Sequence, residues 1–236
     1  MEHSLRNTFK FRNWSAFELV WIMVFISAGT IVTIFTKDSL LNYVILLTGI
    51  LCVVLAAKGN IWNYAFGLVN SVGYAYVSFA NGLYGDMGLN LLFFVPTSII
   101  GFLMWKKHLA KDSVEMRGLM FYQQIIVLII CVTSIAILGF LLSHIKTQNT
   151  PYIDATSTVL SIIATLLMMW RYKEQWLIYI VLNIVTIVMW AIRLASGSTD
   201  GTIMILMWTA FLVNAVYGYV IWKKGSEAKT EVEVAL

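Results

Sequence analysis

Eight stretches of the chain carry no Asp, Glu, Lys or Arg: residues 19–36, 39–57, 59–85, 87–105, 118–145, 155–170, 175–192 and 201–222. Each approaches or exceeds the roughly 20 residues that a helix needs to cross a hydrocarbon core about 30 Å thick. In such a core every backbone group must pair within its own segment, so these stretches are expected to be helices. The charge that remains is sparse as well, with 12% charged and 60% hydrophobic residues among the 236. Soluble domains carry roughly 25% charged residues, and a soluble enzyme is excluded on this ground.

The spacing predicts an all-α membrane protein of eight transmembrane helices, near 15–36, 40–57, 61–80, 86–106, 120–143, 153–171, 175–194 and 202–223. Arg6, Lys10 and Arg12 precede the first stretch as they would in a signal peptide. No small-residue cleavage site followed by soluble sequence comes after it, so it reads as a retained helix. Cys52 and Cys131 fall inside apolar spans at no metal-ligand spacing, and read as small buried hydrophobes.

Basic residues set the expected orientation. With a cytoplasmic N-terminus and eight spans, only Lys37, Lys146 and Arg193 of the 16 basic residues fall outside. This is the asymmetry of the positive-inside rule, and it places both termini in the cytoplasm. It also accounts for the net charge of +4 without nucleic acid.

An internal repeat is legible. The fourth span ends Gly101-Phe-Leu-Met-Trp105-Lys106-Lys107, and the eighth ends Gly218-Tyr-Val-Ile-Trp222-Lys223-Lys224. Lys58, Asn63 and Asn70 align in turn with Arg171, Trp176 and Asn183. The expected organisation is an N-terminal helix outside the repeat (1–38), a first three-helix repeat (39–107), a linker and inverting helix (108–150), a second three-helix repeat (151–224) and a tail (225–236). The copies run parallel, an architecture of transporters with sites near mid-membrane. Trp62, Trp105, Trp170 and Trp222 sit at span ends, where an aromatic belt is their ordinary role.

Polar residues recur at helical spacing within the spans. The third carries Asn63, Gly67, Asn70, Tyr74 and Ser78; the fourth Asn90 and Thr97; the sixth Asp154, Thr158, Ser161 and Thr165. The seventh carries Trp176, Tyr179, Asn183, Thr186 and Trp190, and the eighth Trp208 and Asn214. Polar groups facing lipid are costly, so the stripes are expected to face the bundle interior. Their bland role is hydrogen-bonding glue between helices, at about 0.6 kcal/mol each on average. The candidate substrate contacts are Asn63, Asn70, Tyr74, Asn90, Asp154, Thr158, Trp176, Asn183, Thr186 and Trp190. Asn70 and Asn183 lead, because an amide has both donors and an acceptor to satisfy.

No charge falls mid-span, which argues against a proton relay. Neither a nucleophile elbow, a phosphate loop nor a His–Glu zinc motif is present, so no catalytic residue, metal or cofactor is expected. A lipid-modifying enzyme would need such a cluster, and a channel would need a charged or carbonyl-lined filter. An interior of amides, hydroxyls and rings suits a small polar solute with a flat ring, and a cationic ring gains about 0.5–2 kcal/mol over an aromatic face.

Lys58-Gly-Asn-Ile-Trp62-Asn63-Tyr64-Ala-Phe-Gly67-Leu-Val-Asn70 resembles the signature of PnuC-type vitamin transporters. So do Leu83-Tyr84-Gly85-Asp86-Met87, then Asn90, Pro96, Gly101 and Trp105, and in the second half Asp154, Trp176, Asn183, Gly218 and Trp222. The likeness runs from about residue 40 to 224. It implies a SWEET-related, three-plus-one-plus-three nicotinamide riboside transporter of the bacterial inner membrane. It also implies facilitated diffusion by alternating access, uptake driven by cytoplasmic phosphorylation, and a homo-oligomer, with a trimer expected. Thiamine, riboflavin or a sugar is the alternative cargo on the same scaffold.

Overall fold

The computed structural model describes residues 14–37, 39–81, 84–110, 113–144 and 150–234. Ser15 and Ser39 stand in extended backbone and accept from the amides of Glu18 and Asn42, which starts α1 (Ala16–Thr36) and α2 (Leu40–Ala57). Such caps satisfy amides that a helix N-terminus leaves unpaired. α3 (Asn63–Ala80) follows. Next, α4 (Tyr84–Leu89), a π-helical turn (Asn90–Phe94) and α5 (Val95–Lys106) run on as one rod. The others are α6 (Phe121–Ser143), α7 (Pro151–Met169), α8 (Gln175–Ala195) and α9 (Gly201–Val234).

Counting α4 to α5 as one rod gives eight helical rods among the described residues, of which seven are long and apolar enough to cross a membrane. The exception is α3, whose 18 residues include Asn63, Asn70, Ser71 and Ser78. The π-turn precedes Pro96, which has no N–H to donate and crowds the preceding turn. Thr97 and Ser98 donate their hydroxyls to the carbonyls of Phe93 and Phe94, each at 2.7 Å.

α2, α3, the α4–α5 rod, α7, α8 and α9 close a ring in which each packs on the next. α1 lies outside against α2 and α9, and α6 outside along α7. α6 leaves Phe121, Leu128, Val132, Ile137 and Phe140 exposed, as a helix in lipid does.

The α2–α3 and α7–α8 corners are built alike. Gly59 (φ 65) and Arg171 (φ 66) both take left-handed backbone. In one corner Asn60 donates to the Leu55 carbonyl at 2.8 Å, in the other Tyr172 donates to Leu167 at 2.9 Å. These are Schellman closures, which glycine makes at no steric cost. Arg171 bears the cost of a left-handed side chain, about 1–2 kcal/mol, while its Nε donates to the Glu115 carbonyl at 3.2 Å.

The linker is more ordered than a charged loop. Leu109–Ala110 (β1) pairs antiparallel with Ser113–Val114 (β2). Val114 then donates to the Gly59 carbonyl at 3.0 Å, Arg117 to Arg171 at 2.8 Å and Lys173 to Arg117 at 2.8 Å, so one strand stitches both corners. The tail expected at 225–236 is helical as far as Val234, where α9 ends. Its Glu, Ala and Lys residues are good helix formers and no proline interrupts them; residues 235–236 lie outside the described residues.

Polar knots fix the two ends. At the corner end Glu18, only 4% exposed, pairs with Lys58 at 2.8 Å and accepts from the Tyr217 hydroxyl at 3.1 Å, tying α1 to α2 and α9. At the far end Asp200 accepts from Asn42 at 2.7 Å and also from Asn81, joining the starts of α2 and α9 to the end of α3.

Candidate substrate site

The ring of helices surrounds a cavity of about 160 Å³. It is lined on α3 by Asn63, Tyr64, Gly67, Asn70, Ser71 and Tyr74, and on the π-turn and α5 by Asn90, Phe94, Thr97 and Ser98. α7 gives Ser161, Thr165 and Met168, and α8 gives Trp176, Tyr179, Leu182 and Asn183. Cys52, Val53 and Ala56 of α2 and Met207, Trp208, Phe211 and Ala215 of α9 complete the wall. No Asp, Glu, Lys, Arg or His is among these residues.

Of the ten candidates, Asn63, Asn70, Tyr74, Asn90, Trp176 and Asn183 share this wall. Asp154, Thr158, Thr186 and Trp190 lie outside it. Asp154 opens α7 with Thr150 donating to it at 3.3 Å, and Thr158 is half-buried one turn later. Thr186 spends its hydroxyl on the Leu182 carbonyl of its own helix at 2.9 Å. The cavity sits towards the corner end, and the stripes on α7 and α8 outrun it.

The asparagines divide by their bonding. Asn70 donates to the Ile45 carbonyl of α2 at 2.8 Å, and Asn90 to the Asp86 carbonyl at 2.8 Å. Each therefore ties backbone while its amide oxygen stays available. Asn63 donates to the Asn60 carbonyl at 2.7 Å and leaves Oδ1 buried without a partner among the described residues. Asn183 is 2% exposed, lines the cavity, and its amide makes no hydrogen bond to another described side chain or backbone group. Asn214, by contrast, is glue, donating to the Val53 carbonyl of α2 at 2.7 Å.

The floor is aromatic. Trp105 and Trp222 are fully buried, which corrects their reading as an interfacial belt; Trp170 is 49% exposed and Trp62 half-buried. Trp105 donates to the Met168 carbonyl at 3.1 Å and Trp222 to that of Ala57 at 3.0 Å. Their ring centroids lie 5.9 Å apart, and Trp176 stands edge-on to Trp222 at 6.1 Å. Gly101 and Gly218 make the room: a Cβ on the first would meet the ring of Tyr64, and one on the second would sit 2.7 Å from Trp176. Tyr64 Oη and Trp176 Nε1 are buried at this floor without partners among the described residues.

Sequence reasoning placed Gly67, Thr97, Ser161, Thr165, Tyr179 and Trp208 on polar faces without choosing them. It gave Phe94 and Phe211 no role, quoted Tyr64 only within the signature run, and took Cys52 for a small buried hydrophobe. Cys52 is not a plain buried hydrophobe, since it lines the cavity against Gly67.

A closed ring of membrane helices around an uncharged pocket of amides, hydroxyls and rings defines a multi-pass membrane transporter of a small polar solute. Comparison with known proteins agrees. The family model described as nicotinamide mononucleotide transporter matches residues 39–224. The nicotinamide riboside transporter PnuC of Neisseria mucosa is 40% identical over 220 residues, 91% of this chain and 83% of that protein. Its counterpart in Haemophilus influenzae is 34% identical over 216 residues, 89% and 91% of the two chains. The crystal structure of the vitamin B3 transporter PnuC superposes with a TM-score of 0.82 at 39% identity, over 92% of this chain and 95% of that one. The chain belongs to this PnuC family, whose members are membrane transporters and not enzymes.

Proposed function

We propose that this chain carries nicotinamide riboside across the bacterial inner membrane. One observation carries the reading: the cavity wall holds amides, hydroxyls and aromatic rings but no ionised side chain. The riboside offers a flat pyridinium, a carboxamide and neutral sugar hydroxyls. Rings such as those of Trp176, Tyr179 and Trp208 receive a cationic ring through their faces, while Asn183, Asn70, Asn63 and Asn90 are the groups for its amide and hydroxyls. The wall also favours the cargo in its relatives' names over the one in the family's description. A mononucleotide would bring a phosphate dianion, which is held by Arg, Lys or a helix N-terminus. Burying it without a cation costs far more than a neutral hydroxyl.

Transport in this reading is facilitated diffusion by alternating access, drawn onward when the cell phosphorylates the vitamin. The lack of charge in the wall supports an uncoupled carrier. Two parallel three-helix units, α2–α5 and α7–α9 with α6 inverting the chain between them, supply halves that rock against each other. The like-built corners and the paired Gly101 and Gly218 contacts favour that division. The distribution of Lys and Arg favours cytoplasmic termini. A homotrimer is the proposed assembly.

Calorimetric titration of the purified protein with nicotinamide riboside, its mononucleotide, thiamine and riboflavin tests the reading. Binding of the riboside alone is expected. Thiamine or riboflavin binding in its place would keep the carrier and replace the cargo, and a preference for the mononucleotide would overturn the argument from charge.

A further inference from the structure

The Trp190 indole N–H lies 2.9 Å from the Tyr74 hydroxyl oxygen, with both side chains buried. An indole nitrogen only donates, so the phenol oxygen must be the acceptor. Tyr74 keeps one proton of its own, and its hydroxyl donates to no other described group. Its side chain lines the cavity, while that of Trp190 does not. Trp208, also in the wall, stands edge-on to Tyr74 at 6.1 Å, and its N–H is directed at the same hydroxyl oxygen, short of a formed hydrogen bond. One unspent donor, the Tyr74 hydroxyl, is thus left at this part of the wall, and a buried donor without a partner is costly.

We propose that Trp190 is a positioning residue for the site: by occupying the Tyr74 oxygen, it fixes that hydroxyl as a donor to a neutral oxygen of the bound solute. The ligand feature is a hydroxyl or ring oxygen of a sugar. The inference rests on the carrier reading above and assigns Trp190 a role through Tyr74 in place of direct contact. A residue that merely filled the core among Ile203 and Met204 would need no N–H.

The test is calorimetric titration of full-length wild type, Tyr74→Phe, Trp190→Phe and the double variant. The ligands are nicotinamide riboside and analogues that each lack one sugar oxygen. Tyr74→Phe should weaken riboside binding about tenfold, and Trp190→Phe several-fold. The double variant should be no weaker than Tyr74→Phe alone, and one analogue should bind all four proteins alike. Multiplying losses, or an equal loss from Trp190→Phe for every analogue, would overturn the inference. A second measurement leaves Trp190 in place: in protein with labelled indole nitrogens, the Trp190 resonance should shift in Tyr74→Phe. An unmoved resonance overturns the inference whatever the ligand. A wild type that ignores the riboside removes the proposed cargo, and the resonance still decides whether Trp190 holds Tyr74.

Discussion

Trp222 donates its indole N–H to the Ala57 carbonyl at 3.0 Å, so the last helix is bonded to the last turn of the second. Trp105 makes the reciprocal bond from α5 to Met168, at the end of α7. Each half of the ring is thus held by an indole from the other. Replacing Trp222 by Phe removes the donor and keeps most of the ring, at an expected cost of about 1 kcal/mol. Trp222→Ala opens a buried void and should cost about 3–5 kcal/mol. Thermal unfolding in detergent should therefore rank wild type, Phe and Ala in that order; a Trp222→Ala protein as stable as Trp222→Phe would contradict the packing.

The glycines beneath these indoles carry the second expectation. In Gly218→Ala the new methyl would sit 2.7 Å from Trp176, which lines the cavity, so that ring must move. Riboside affinity should fall about tenfold, equivalent to about 1.4 kcal/mol. Gly88 has nothing within 4 Å of its would-be Cβ and sits in α4. Gly88→Ala should bind as wild type does, and titration of the two variants side by side separates a local clash from a general intolerance.

Asn183 and Asn70 should part company. Asn183→Ala removes no bond to another described group, so it should weaken riboside binding and leave the melting temperature in place. Asn70→Ala also loses its bond to Ile45 and should lower stability by about 0.6 kcal/mol in addition. If Asn183→Ala binds normally, the amide is not a substrate contact.

Glu18 gives a prediction far from the cavity. Breaking a fully buried ion pair by removing one partner costs about 3–5 kcal/mol, and less where the remaining charge keeps other contacts. Glu18→Ala should therefore destabilise by less than that full cost, because Lys58 loses its carboxylate at 2.8 Å and Tyr217 its acceptor while Lys58 keeps the face of Trp14 at 5.0 Å. Adding Lys58→Met should recover part of the loss; a double variant worse than the single would show that the knot is more than a charge pair.

The helices were legible because charge marks where a chain leaves the bilayer. Lys58 and Arg171 follow closely on the last turn of a helix, and Lys106 is the last residue of one. The site was legible only where polar residues break an apolar face, as Asn63, Asn70 and Asn183 do. Phe211 and Cys52 carry no such mark, because an apolar residue on a membrane helix looks the same whether it meets lipid or a cavity. Stripe reasoning overran along α8 for a related reason: periodicity says which face points inward, not how far the cavity extends. Trp176 and Asn183 fall within it, while Thr186 and Trp190 lie one and two turns beyond. Trp105 and Trp222 misled because a tryptophan before two lysines is what an interfacial anchor looks like, and only the neighbouring helices bury it.

The polarity of α3 bears on how the protein is made. Partitioning into a bilayer is decided largely segment by segment, and amides at a span's centre weigh against it. Among the described helices, α3 lines the cavity with the most residues and is the one rod not apolar enough by its own composition to count as a span. Its entry is expected to lean on the apolar surface of α2 or of the rod beginning at α4. Substitutions that smooth its polar face should ease biogenesis while emptying the pocket of contacts, so selection for yield and selection for transport pull on this segment in opposite directions.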